Sequence, residues 1–106
     1  RVHLAGELSM ATLYISEYAD IRGNAGFAPP LAEQTVAIGA GSVASAVFNA
    51  ATRFVRLHTD AICSVQFGEA PTAALTTMRM AANQTEYFAV RNGKTPADKV
   101  AVIVNT

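Results

Sequence analysis

The chain carries one cysteine, two histidines and no tryptophan in 106 residues. A single cysteine excludes an internal disulfide, so a domain of this length has to stand on an apolar core. Cys63 falls on the apolar side of an alternating stretch, which reads as a small core residue and not a reactive thiol. A lone thiol also fits a reducing interior. Charge is scarce too. Eight basic and eight acidic residues cancel, and charged residues make up 15% of the chain, against about a quarter in an ordinary soluble domain. The balance argues against a nucleic-acid or anionic-membrane binder, whose affinity needs clustered cations. Residues 34–52 contain no charge, yet Gly39, Gly41, Ser42, Ser45, Asn49 and Thr52 interrupt them. No sustained run suits a membrane helix. With a mean hydropathy of +0.25, a chain this small leaves apolar groups outside, which is the composition of a subunit with a partner surface.

What is present is alternation. In residues 52–68, TRFVRLHTDAICSVQFG, Val55 and Leu57 oppose Arg56 and His58, and then Cys63, Val65 and Phe67 oppose Ser64 and Gln66. A period of two predicts two half-buried strands with a reversal at Thr59-Asp60. The same pattern predicts a strand over 11–18, where Leu13 and Ile15 alternate with Thr12, Tyr14 and Ser16. Further strands are expected at 35–38, at 77–80 with Met78 and Met80 on one face, and at 86–90 with Phe88 and Val90 set against Tyr87 and Ala89. Residues 99–104 are apolar on both faces, which predicts a strand covered on both sides, by a loop or by another subunit. Residues 42–48 suit a strand or a helix, and the β-rich surroundings favour the strand. Asn92-Gly93 is a strong turn signal.

Residues 20–32 have no period and carry Gly23, Gly26, Pro29 and Pro30, which predicts a long extended arm or loop. Residues 1–9 read as an extension outside the domain, with MATLYISEY from Met10 looking like a more natural start. About eight short antiparallel strands separated by turns make a single all-β domain over 10–106, a β-sandwich or jelly roll.

Chemistry is harder to find. His58 and Asp60 flank a turn, and a solvated histidine is the simpler reading than a metal ligand. Alternation sends His58 and Cys63 to opposite sides, which weakens a Cys-His nucleophile. Gly39-Ala40-Gly41-Ser42 lacks the later Gly-Lys-Ser/Thr of a phosphate loop. Asn83-Gln84-Thr85 matches a glycosylation sequon, a pattern common by chance. The aromatic residues are not interleaved with cations as a nucleic-acid stacking platform requires. No catalytic, cofactor-binding or metal-binding residue is expected.

Laid out in order, ATLYISEY at 11–18, QTVAIG at 34–39, FNAATRFVRLHTDAICSVQFG at 48–68, APTA at 70–73, MRMAANQTEYFAV at 78–90 and KVAVI at 99–103 resemble small virion structural proteins of tailed bacteriophages. The likeness runs from Met10 through nearly all of the chain. It implies a capsid decoration or cement protein on the virion surface, assembled in the host cytoplasm, without enzymatic activity or cofactor. The partners it implies are the major capsid protein and neighbouring copies of the chain in a homo-oligomer, with neither nucleic acid nor membrane. Phe27, Pro29 and Pro30 of the arm are its expected apolar contacts, and Tyr14 and Tyr18 are expected to add to the partner surface. Two alternatives stay open. One is a tail or head-tail junction protein. The other is a small β-sandwich module for a sugar or other ligand, for which Tyr14, Tyr18 and Tyr87 are the only tyrosines available.

Overall fold

The computed structural model describes residues 11–19, 21–22, 26–27, 30–91 and 97–106, with only the backbone path given for 21–22 and 26–27. Among these the chain is all β, with no helix. Its strands are β1 (Thr12–Tyr18), β2 (Ile21–Arg22), β3 (Gly26–Phe27), β4 (Ala32–Ala37), β5 (Val43–Ala44), β6 (Phe54–Thr59), β7 (Cys63–Gly68), β8 (Met78–Met80), β9 (Thr85–Ala89) and β10 (Lys99–Val104). They form two antiparallel four-stranded sheets, ordered β4-β1-β6-β9 and β5-β10-β7-β8, and a separate β2-β3 ladder.

Parity decides what goes inside. Leu13 and Ile15 of β1 sit in register with Val36 and Gln34 of β4, and with Thr59 and Leu57 of β6. On the second sheet Val102 pairs with Val65, and Val104 with Cys63. One hydrophobic cluster draws on both sheets: Leu13, Ile15, Val36, Val55 and Leu57 from the first, and Cys63, Val65, Met80, Val100 and Val102 from the second. Phe67 joins them at the far end, its ring centroid 5.3 Å from that of Phe88 and 6.4 Å from that of Phe48. Burying a Val, Leu or Ile side chain is worth about 1.5–3 kcal/mol each, so this cluster is the main source of stability.

The expected strands at 11–18, 52–59 and 63–68 are present, as are those near 77–80, 86–90 and 99–104. The reversal at Thr59-Asp60 is no hairpin. Strands β6 and β7 lie in different sheets, and residues 60–62 carry the chain between layers, pinned where Asp60 N donates to Thr12 O at 3.1 Å. The strand expected at 42–48 shrinks to Val43–Ala44. Beyond it the chain keeps to β10 through isolated bonds, Ser45 N to Val100 O at 2.8 Å and Phe48 N to Asp98 O at 3.0 Å. Val100 N in turn donates to Ser45 Oγ, so a side chain replaces part of the ladder there. Residues 20–32 are not uniformly irregular, since they contain the β2-β3 pairing, and Ala32 already belongs to β4. The Asn92-Gly93 turn lies outside the described residues, as do residues 1–9 and Met10.

Strand β10 is covered on both faces over much of its length. Ala101, on the face away from the core, is fully buried, as is Ser64 on the same face of β7. The connection 69–77 supplies cover. Asn105 Nδ2 donates to Ser64 Oγ at 2.7 Å and to Leu75 O at 3.1 Å, and Ala73 N donates to Ser42 Oγ at 2.9 Å.

Candidate functional site

The outer face of the first sheet gathers polar and aromatic groups in rows set by the register. Thr35, Tyr14, His58 and Thr85 run across β4, β1, β6 and β9, and the next row is Glu33, Ser16, Arg56 and Tyr87. His58 Nδ1 and Thr85 Oγ1 are hydrogen bonded at 2.7 Å, which fixes the imidazole. The Tyr14 ring lies 6.2 Å from it at 47°. Ser16, small and half-buried, separates Glu33 from Arg56. Two strand spacings put those side-chain bases roughly 10 Å apart. The result is a shallow depression of about 400 Å³ lined by Tyr14, Ser16, Glu33, Thr35, Arg56 and His58. An aromatic wall with a carboxylate and a guanidinium on either side of a notch can stack on an apolar ring face and hydrogen-bond hydroxyls or amides.

A second, apolar surface belongs to the other sheet. Leu75 is 61% exposed beside exposed Val104, while Met78 and Val43, also exposed, sit in register with core Val65 and Val102 and so lie apart from this rim. Leu75, Ala40, Ile103 and Val104, with Asn105 and Thr106, line a depression of about 340 Å³. The Asn105 bond to the Leu75 carbonyl holds this rim against the sheet.

A third cluster is internal. Glu17 shares the inward parity of Leu13 and Ile15 and is 2% exposed. Its Oε1 accepts Asn49 N at 2.7 Å and Thr52 Oγ1 at 2.8 Å, and its Oε2 accepts Gln34 Nε2 at 3.2 Å. Gln34 Oε1 accepts Ala46 N at 3.0 Å. The carboxylate therefore organises the 45–52 segment in place of regular ladder bonds, which is a structural role.

The residues expected at a partner surface are dispersed. Tyr14 is exposed on the outer face. Tyr18 is buried, stacked on Phe54 with ring centroids 5.1 Å apart and 11° between planes, and offers little surface. Pro30 is half-buried just before β4. Pro29 and the side chain of Phe27 lie outside the described residues. Cys63 is fully buried in the second sheet, its thiol 3.5 Å from Thr59 Oγ1 and its pKa pushed up by burial, while His58 faces outward from the first. Met80 is core and Met78 is half open to solvent. Arg91 makes a bidentate pair with buried Asp98 at 3.0 and 3.1 Å. Among the described residues no three His, Cys, Asp or Glu side chains gather as a metal-holding group.

Two features went unread in the sequence. Glu17 lies two residues beyond Ile15 and inherits its face, a signal the alternation already carried. The Glu33-Ser16-Arg56 row needed the strand order, which no local pattern contains. Comparisons with protein-family models, with curated proteins and with solved structures return no match.

Proposed function

We propose that this chain is a non-enzymatic structural protein of a tailed-bacteriophage virion, a β-sandwich decoration or cement subunit that binds the major capsid protein and stabilises the head. The observation that carries the docking role is the exposed apolar rim of the second sheet, with Leu75 61% exposed beside Val104 and Ile103. Apolar groups left in water gain about 25 cal/mol per Å² when a partner covers them, less the cost of ordering the partners. Repetition over many copies then makes a weak contact count. The virion itself comes from the resemblance in the sequence. Residues 20–32 are proposed to reach over a neighbouring subunit, with Phe27, Pro29 and Pro30 as contacts.

The test is particle occupancy. Wild-type chain mixed with heads lacking it is expected to bind at hundreds of copies per particle, and Leu75→Glu is expected to cut that occupancy tenfold or more while remaining folded. A dozen copies or fewer points to the tail or the head-tail junction, and no binding removes the virion reading.

A second reading has its own observation. Register puts Tyr14 and Tyr87 on one outer face, beside Ser16, Arg56, His58 and Glu33. That is the mix of ring faces and polar groups a sugar-binding module uses. A glycan array without signal removes its sugar form.

A further inference from the structure

The hydrogen-bond phase of the first sheet leaves one edge of β4 facing outward. Ile38 N donates to Ala11 O in the same register that pairs Leu13 with Val36 and Ile15 with Gln34. Antiparallel pairs alternate between bonded and non-bonded residues. Gln34, Val36 and Ile38 therefore turn their backbone groups to β1, and Glu33, Thr35 and Ala37 turn theirs away. The phase is internally consistent, because Asp60 N donates to Thr12 O on the other side of β1. Among the described residues the outward N–H and C=O groups of Glu33, Thr35 and Ala37 have no partner. The strand AEQTVA runs six residues without proline or lysine, the usual devices that keep an edge from pairing.

We propose that β4 is the seam of a two-fold dimer, pairing antiparallel with β4 of a second copy about an axis at Thr35. The occupant follows from self-complementarity. An axis at Thr35 sets Thr35 against its own counterpart, a favourable cross-strand pair, and sets Glu33 against Ala37 of the second copy. The only charge on the strand then never meets its like directly across the seam. Every outward N–H and C=O of the three residues gains a partner, and the two four-stranded sheets become one of eight. Glu33 and Thr35 also line the depression beside Tyr14, so the axis brings two such depressions together as one trough on the outer face. This gives a surface to the self-association in the reading above, on which it rests, and a closed symmetric pair is the commonest form of such association.

Amide exchange on the purified full chain tests it without a mutation. The amides of Gln34 and Val36 are expected to be protected at every concentration. Those of Glu33, Thr35 and Ala37 are expected to gain at least tenfold protection as concentration rises and light-scattering mass moves from monomer to dimer. Thr35→Pro removes an outward N–H and no bond to β1, and is expected to return the mass to monomer with the far-ultraviolet circular dichroism unchanged. A chain that stays monomeric at millimolar concentration overturns the proposal. So does a dimer in which the amides of Glu33, Thr35 and Ala37 still exchange freely, as one joined through the β9 edge or the Leu75 rim would give. If such a chain still coats viral heads, this inference alone falls. If the β4 dimer forms but never binds heads, the seam stands and the virion reading falls.

Discussion

The carboxylate of Glu17 accepts the hydroxyl proton of Thr52 at 2.8 Å across 35 positions of chain, with both residues buried. One strand of the first sheet is thereby tied to the segment that leads into the next. Glu17→Ala strands Asn49 N and Thr52 Oγ1 without their acceptor and leaves Gln34 Nε2 only its longer bond to Ala46 O at 3.4 Å. Hydrogen bonds to charged groups are worth about 1.5–3 kcal/mol each, and partial rehydration recovers some of that. A net loss of about 2–4 kcal/mol is expected from the urea midpoint at unchanged m-value. Glu17→Gln is expected to lose less, since its carbonyl can keep Asn49 and Thr52 while its amide opposes the Gln34 amide.

Burial raises the Cys63 thiol above its ordinary value of 9.0, with the nearby Thr59 hydroxyl pulling weakly the other way. The folded state thus holds its proton to higher pH than the unfolded chain does. That contribution to stability is fully present below about pH 9 and fades as pH rises toward the elevated folded value. Wild type is expected to lose more stability than Cys63→Ala between pH 8.5 and 10.5, as read from denaturation midpoints. Native Cys63 is also expected to resist a thiol reagent at pH 8 that labels it fully in denaturant.

Asn105 joins Ser64 and the Leu75 carbonyl with a single amide. Asn105→Ala leaves the fully buried Ser64 hydroxyl without that partner, at a cost of about 1–3 kcal/mol. The same change frees the 69–77 connection from its anchor. Limited proteolysis is expected to cut within 69–77 first in the variant, and at least several-fold faster than in wild type.

Asn83 has φ of 62° in the turn between β8 and β9, where its N donates to Thr59 O at 2.8 Å. Asparagine adopts that left-handed conformation more readily than alanine does. Asn83→Ala is expected to cost about 1 kcal/mol and Asn83→Gly close to nothing, as measured by thermal midpoint. Equal losses for both would mean that the side chain, and not the backbone angle, matters here.

How much of this was legible beforehand follows from the range of the signals. Alternation acts between neighbours two residues apart, so Leu13, Ile15, Val55, Leu57, Cys63 and Val65 could be assigned to the core from sequence, whereas 99–104, apolar on both faces, gave no such parity. Tyr14 could be assigned outward by the same rule. Tyr18 obeyed the parity but not the exposure, because Phe54 from another strand covers it. Pairing partners were not legible. The short 60–62 link looks like a hairpin loop, and only the pairing of β6 with β1 and β9, and of β7 with β10 and β8, makes it a crossing between sheets. The 42–48 stretch was readable only in part. Val43 and Ala44 form the expected strand against β10, but beyond them the backbone bonds go to Val100 and Asp98 one at a time and to the side chain of Gln34, which leaves no periodic trace. The outer-face depression depends on β4, β1 and β6 lying side by side, a fact of topology that no single strand encodes.

Strand β10 comes last along the described chain yet sits in the interior of its sheet, between β5 and β7. During synthesis β5 and β7 therefore wait for a common neighbour until residues 99–104 leave the ribosome. Until then Val65 and Val102 cannot meet, and the unpaired edges of β5 and β7 stay open to chaperones or to misassociation. Premature termination just upstream of Lys99 would remove a central stave of the second sheet, leaving a product that cannot close.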